Sequence, residues 1–240
     1  MTDIESRFSP HENEANYRHE LKYLISSAQA VILKSRMDHL APLDHHAAAK
    51  GSYQIRSLYF DDYTNRCFWE NENGTDPREK FRIRIYNHDI RQITLECKRK
   101  ERGKTLKTAC PLTLEQTQVL MSGNTLPDFA GQPPLLKKLT GQMMTRQLHP
   151  VVIVEYNRIP YVYHDGNVRI TLDSGIRSCA SAEKFLDEVI PGRPVLPVGQ
   201  QLLEVKFDAF LPDFLYRSLQ LSNLSITTFS KYYLCRKYTR

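Results

Sequence analysis

The sequence predicts an α+β fold: an antiparallel β-barrel tunnel of about eight strands, with helices packed outside it. Three observations carry that expectation. Six separate segments alternate charged and apolar residues with the period of two that a strand imposes, because residues i, i+2 and i+4 share a face. The helical segments fall between the strands without the recurring βαβ rhythm of a parallel sheet. The charged faces are also too many to be one solvated surface. If the apolar faces pack outward against helices, the charged faces meet inside a ring, and a ring of about eight strands has an interior that side chains can line around a ligand.

In chain order, a first strand is read at 17–26, with Arg18, Glu20 and Lys22 on one face. Residues 26–41 have helical spacing, with Ser as N-cap. Gly51 opens a strand over 51–62, and the stretch 64–77 ends in NENGTDP, a turn signal. In FRIRIY (81–86), Arg82, Arg84 and Tyr86 oppose Phe81, Ile83 and Ile85; in the strand at 91–100, Thr94, Glu96, Lys98 and Lys100 share a face. A short strand near 104–110 leads to a helix opening at Pro111, where Thr113 and Gln116 have capping-box spacing and Gly123 marks the stop. A second helix is read at 133–148. Strands resume at 150–163, with Tyr156 and Arg158 in phase, and at 167–173, with Arg169 and Asp173. The Pro-rich stretch 183–200 reads as loop, 201–210 as a strand carrying Glu204 and Lys206, and 211–223 as helix, before TTFSKYYLCRKY closes the chain. No boundary divides this region, so one domain is expected over 17–240, preceded by a flexible tail at 1–16.

The 240 residues are 41% apolar and 25% charged, an ordinary globular composition. No run approaches the length of a membrane span, and the polar N-terminus lacks the apolar stretch of a secretory signal, so a cytoplasmic location is expected. Five scattered cysteines without a CxxC pair argue against both a disulfide framework and a zinc site. The formal net charge is +6, and residues 78–107 hold eleven Lys or Arg against four Asp or Glu, so the rest of the chain is nearly neutral. One basic region on a balanced protein implies an anionic partner: nucleic acid, lipid, nucleotide and polyphosphate all fit at this point. Recognition helices and RNP-type motifs are missing, which sets nucleic acid aside.

Buried like charges are prohibitive unless paired or coordinated. A tunnel of Arg and Lys therefore requires water, a polyanion, or both. Arg suits bidentate phosphate binding and Lys point-charge binding. On the same faces, Glu20, Glu96, Asp173 and Glu204 have the hard oxygen donors that Mg2+ or Mn2+ takes together with substrate phosphates; salt bridging to neighbouring Lys and Arg is the competing reading. His45 and His46, in the loop DHHAAAKG, read as exposed residues rather than metal ligands.

ELKY (20–23), IRSLYFD (55–61), KFRIRIY (80–86), LECKRK (95–100), VEYNR (154–158), VRITLD (168–173), LLEVKF (202–207) and FSKYYL (229–234) occur in the order seen in VTC-type domains. The sequence resembles that family, part of the CYTH-like, triphosphate tunnel metalloenzyme superfamily, over about residues 17–235. The resemblance implies a polyphosphate polymerase that moves the γ-phosphate of ATP onto inorganic polyphosphate with Mn2+ or Mg2+. It implies that Lys22, Arg82, Arg84, Lys98, Arg158, Arg169 and Lys231 grip the reacting phosphates. Arg56, Lys100, Lys107, Tyr156, Lys206 and Ser230 would add substrate contacts, and Glu204 with Glu20 would hold the metal. Arg18 stands where the superfamily's ExExK strand has its first Glu, and Lys100 where a His sits in relatives; both changes make the tunnel more basic and poorer in carboxylates. That favours polymer binding over hydrolysis. A tunnel triphosphatase or polyphosphatase using water, and a non-catalytic polyphosphate-binding module of a membrane complex, are the alternatives. The family's setting also implies a separate membrane protein partner.

Overall fold

The computed structural model describes residues 17–127, 130–221 and 224–239; the expected tail at 1–16 lies outside the described residues. In chain order the elements are β1 (His19–Ser26), α1 (Ser27–Leu40), β2 (Tyr53–Asp61), α2 (Arg66–Glu72), β3 (Arg78–Tyr86), β4 (Ile93–Glu101) and β5 (Lys104–Leu112). Then come α3 (Leu114–Met121), α4 (Pro134–Arg146), β6 (His149–Tyr163), β7 (Val168–Cys179), β8 (Arg193–Pro194), β9 (Gln200–Phe207), α5 (Asp213–Leu219) and α6 (Lys231–Lys237).

One antiparallel sheet runs β1-β9-β7-β6-β2-β3-β4-β5, with the two-residue β8 paired to β7. Its two ends meet. The Arg18 N–H donates to the Thr105 carbonyl at 3.0 Å and the Thr105 N–H to the Arg18 carbonyl at 3.1 Å, so the curled sheet is pinned into a barrel beside β1 and β5. The expected eight-strand barrel is thus present, with β8 added inside the stretch read as loop.

Outside the ring, alternate residues build two apolar clusters. Phe81, Ile83, Ile85, Ile93, Leu95 and Cys97 of β3 and β4 pack on Leu120, Leu136, Leu139 and Met143 of α3 and α4. Ile170, Leu172, Leu203 and Val205 of β7 and β9 pack on Leu33, Met37, Leu215 and Leu219 of α1 and α5. Two helix starts follow the sequence: Ser26 and Gln29 form a capping box at α1, and Thr113 and Gln116 form one at α3.

The helix α2 replaces part of the expected turn region at 64–77. Its start is held by carboxylates, which favour a helix N-terminus. Asp61 accepts from the Cys67 and Phe68 N–H groups at 2.8 and 3.2 Å, and Asp62 from that of Arg66 at 3.0 Å. The segment 226–230 and the start of α6 line one side of the barrel interior. Phe229, Tyr232 and Cys235 join Tyr59, Val152, Val154, Tyr156 and Leu202 in a third cluster built on inward positions of β2, β6 and β9.

Candidate functional site

Strand pairing decides which charges share the interior, because directly paired residues of adjacent strands lie on one face. Lys22 pairs with Glu204, Glu20 with Lys206, Arg169 with Lys206, and Arg158 with Asp173. On the other side of the ring Lys80 pairs with Lys98, Arg82 with Glu96 and Arg78 with Lys100. All these residues point inward.

All of them but Asp173 and Glu96 line two cavities of about 270 and 290 Å³. Both cavities use Glu20, Arg82, Arg84, Lys98, Thr105, Arg158 and Lys206, so they are two parts of one passage. The first has ten cationic side chains against two carboxylates, Glu20 and Glu204, and its remaining wall comes from Tyr59, Asn71, Gly103, Thr105, Tyr156 and residues 226–232. The second adds Arg18, Lys107 and Arg169, with Tyr53 and Tyr86.

Four buried carboxylates hold this charge together. Glu96 is shared by Arg82 at 2.6 Å, Lys107 at 3.2 Å and Arg84 at 3.5 Å. Asp173 takes Arg158 in a bidentate pair at 2.7 and 2.8 Å and Lys231 at 2.6 Å. Glu20 bridges Lys98 at 2.7 Å and Lys22 at 3.0 Å, and Glu204 pairs with Lys206 at 2.5 Å. Burial alone would raise each acid. The surrounding cations win: Lys98 and Lys22 hold Glu20 below the usual carboxylate range, Arg84 and Arg82 hold Glu96 there, Arg158 and Lys231 hold Asp173, and Lys206 with Lys231 holds Glu204. All four are ionised at neutral pH. Glu20 and Glu96 thus both make salt bridges with neighbouring cations.

Of the residues expected from the sequence, Lys22, Arg82, Arg84, Lys98, Lys100, Tyr156, Arg158, Glu204, Lys206, Ser230, Lys231 and Glu20 come together on the first cavity, while Arg169 and Lys107 line the second. Tyr156 is wedged among them, its ring 5.3 Å from the Arg158 guanidinium and 4.8 Å from the Lys231 ammonium. Arg56 is the exception. It sits on the opposite phase of β2, fully buried outside the barrel, where Nε donates to Glu155 at 2.6 Å and Nη1 to the Phe185 carbonyl at 3.0 Å. Its donors are committed to tying residues 185–188 onto the sheet, so the expected substrate contact is corrected to a structural one. Sequence reasoning also passed over Lys80 and Arg78. Both lie in phase with Arg82 on β3, and running that alternation two steps toward the N-terminus would have found them.

The sequence profile of the VTC domain matches residues 17–239. This chain belongs to the VTC domain family. Among solved structures, the VTC domain here is similar to the PH1819 protein of Pyrococcus horikoshii OT3, with 14% identity, coverage of 92% of this chain and 99% of that one, and a TM-score of 0.50. It is similar also to HpAC1 from Hippeastrum, described as having a dominant triphosphatase activity, with 13% identity, coverage of 93% and 97%, and a TM-score of 0.51. At these identities the likeness is one of fold, that of the CYTH-like tunnel proteins. No curated protein matches the chain.

The VTC domain also offers a place for a divalent cation. Glu20 and Glu204 stand on the adjacent strands β1 and β9, both ionised and both open to the first cavity. Mg2+-type ions are held by one or two carboxylates plus phosphate oxygens and water rather than by an all-protein cage, and this donor set fits that pattern. Among the described residues, the one three-membered group with metal-ligand spacing is Asp44, His45 and His46. It lines neither cavity, and both histidines are exposed, as the sequence predicts.

Proposed function

We propose that this VTC domain is a polyphosphate polymerase. A terminal phosphate oxygen of a polyphosphate chain attacks the γ-phosphorus of ATP, the bond from that phosphorus to the β,γ-bridging oxygen breaks, and ADP leaves. The observation that carries this reading is the continuous passage whose cations outnumber its carboxylates by ten to two in the first cavity. Phosphoryl transfer asks mainly for positioning and for neutralisation of charge on the transferring group. Arg82, Arg84 and Arg158 present forked donors that match phosphate oxygens. Lys22, Lys98, Lys206 and Lys231 add point charges around them. Each is held at rest by a carboxylate, so the array stands ready without collapsing. The acceptor oxygen is already anionic, and this chemistry needs no protein nucleophile. Glu204 and Glu20 would hold the divalent ion, which supplies further neutralisation of the phosphates when bound.

Among the described residues no helix is long and apolar enough to cross a membrane. A separate membrane protein partner, implied by the resemblance to the VTC family, belongs to this proposal as well.

The test is incubation of the purified protein with ATP and Mn2+ or Mg2+, with products resolved by ³¹P NMR. ADP together with internal phosphoanhydride signals is expected. Arg84→Ala and Glu204→Ala should each lower the rate by about 100-fold or more, the scale of removing one preorganised electrostatic group. ADP with orthophosphate alone would replace the polymerase by a hydrolase that uses water as acceptor.

A further inference from the structure

Seven of the ten cations on the first cavity have a carboxylate within 4 Å: Lys22, Arg82, Arg84, Lys98, Arg158, Lys206 and Lys231. Lys80 has none among the described residues. Its amine is half-buried on neutral groups, with Nζ 2.9 Å from Asn71 Oδ1 on α2, 3.4 Å from Ser230 Oγ, and 4.8 Å from the centre of the Tyr232 ring on α6. The charged and titratable groups around it are Lys98, directly opposite on β4, Arg78 on its own strand, Lys22 on β1, the Cys67 thiol on α2 and the Tyr232 phenol. Burial pushes both Cys67 and Tyr232 up and keeps them neutral, so the ionised groups facing Lys80 are all cations. Kept fully charged with no anion present, this amine would add uncompensated repulsion to an already basic interior.

We propose that Lys80 is a proton-coupled phosphate-binding residue: an amine held by Asn71, Ser230 and Tyr232 without a counter-charge, which takes a proton from solvent when a phosphate oxygen arrives and so makes anion affinity depend on pH. Burial, with the cations Arg78, Lys22 and Lys98, places the free amine at about 7, against 10.5 for an ordinary lysine. An arriving oxyanion supplies the missing counter-charge and restores the ammonium form. The empty tunnel is thereby relieved of one charge that the loaded tunnel regains. The inference rests on the tunnel being a polyphosphate site but not on which transfer reaction it performs.

The experiment is calorimetric titration of the full chain with tripolyphosphate, without metal, at pH 6.5, 8 and 9, in buffers of different ionisation enthalpy so that protons taken up are counted. Lys80→Arg keeps the charge permanently and Lys80→Met removes it; the titration of the ligand is common to all three proteins, and that of Lys98, which faces Lys80, is disturbed in opposite directions by the two variants. Wild type at pH 8 is expected to take up close to one proton more than either variant. Its affinity should fall by up to about tenfold per pH unit above 7 relative to Lys80→Arg, the slope that one linked proton sets. At pH 6.5, Lys80→Met should bind roughly tenfold more weakly than wild type, the loss of one charge-assisted contact. Because both variants lack the uptake, either one suffices if the other does not fold. Tight binding with equal proton uptake in wild type and variants overturns the role of Lys80 and leaves the tunnel reading standing. Absence of tripolyphosphate binding by wild type overturns both.

Discussion

Asp173 shows what a single carboxylate does for this tunnel. It is completely buried, and both Arg158 and Lys231 close on it. Removing one partner of a buried ion pair leaves the other as an uncompensated charge, and here two cations would be left. Asp173→Asn should therefore lower the unfolding free energy by about 3–5 kcal/mol in the absence of ligand. A bound polyanion supplies the lost counter-charge, so tripolyphosphate should raise the melting temperature of the variant by more than it raises that of wild type. An equal ligand-induced shift would sink this account. The pair Arg56–Glu155 looks alike on paper, with an Arg and an acid 2.6 Å apart and both buried, but it lies outside the barrel. The two pairs are also where the sequence is and is not informative. Alternation gives the phase of a strand but not which face turns inward, and Arg56 is one step out of phase with Ser57 and Tyr59, which meet Arg84 and Arg82 inside the ring. Arg82, Arg84 and Glu204 were legible because each sits in a run where charge returns at every second residue.

At the scale of elements, the strands and the two capped helices could be read from sequence because each has a local cause, period two in one case and a Ser or Thr cap with Gln three residues on in the other. The parts that close the first cavity have no such cause. α2 is seven residues long, entered through Asn65 at a φ of 56°, and flanked by turn-forming residues, so its local pattern reads as a turn. Its position comes from Asp61, fully buried, which accepts from two α2 N–H groups and from the Tyr232 hydroxyl of α6. One carboxylate at the end of β2 thus fastens both short helices, and with them Asn71, Ser230 and Lys231, at the mouth of the tunnel. Tyr232→Phe cuts that tie while keeping the ring. It should cost about 1–3 kcal/mol, the range for leaving a buried polar group short of a partner. Hydrogen exchange read by mass spectrometry should speed up across residues 231–237 and stay unchanged across α4. Uniform acceleration over the whole chain would show that Asp61 stabilises the barrel in general and not this mouth.

For the whole molecule, a barrel filled with charge makes stability a function of pH in two windows of opposite origin. Glu20, Glu96, Asp173 and Glu204 are all held below their ordinary values by the cations beside them. A depressed acid contributes stability that is present above its unfolded value of about 4 and is lost as pH falls toward the folded value. Stability should therefore drop as pH falls below about 5, because the unfolded chain takes up protons there that the folded tunnel, its acids kept ionised by the cations beside them, does not. On the alkaline side Lys80 and Lys98 are lowered to about 7 and about 8, mainly by burial, whereas the unfolded chain keeps them near 10.5. Between those values the unfolded state binds more protons, so unfolding becomes harder as pH rises. Lys22 and Lys231, raised by their carboxylates, lose their contribution only above the ordinary lysine value and leave this window untouched. The ligand-free protein should consequently be more stable at pH 9 than at pH 7, by on the order of 1 kcal/mol after solvent screening. Tripolyphosphate should reverse the trend, because the bound anion returns Lys80 to its charged form and the advantage of deprotonation disappears. Urea unfolding at pH 3.5, 5, 7 and 9, with and without tripolyphosphate, reads both windows. A ligand-free stability at pH 9 equal to or below that at pH 7 would mean that the interior cations stay fully protonated in the empty tunnel, with water rather than deprotonation carrying their repulsion.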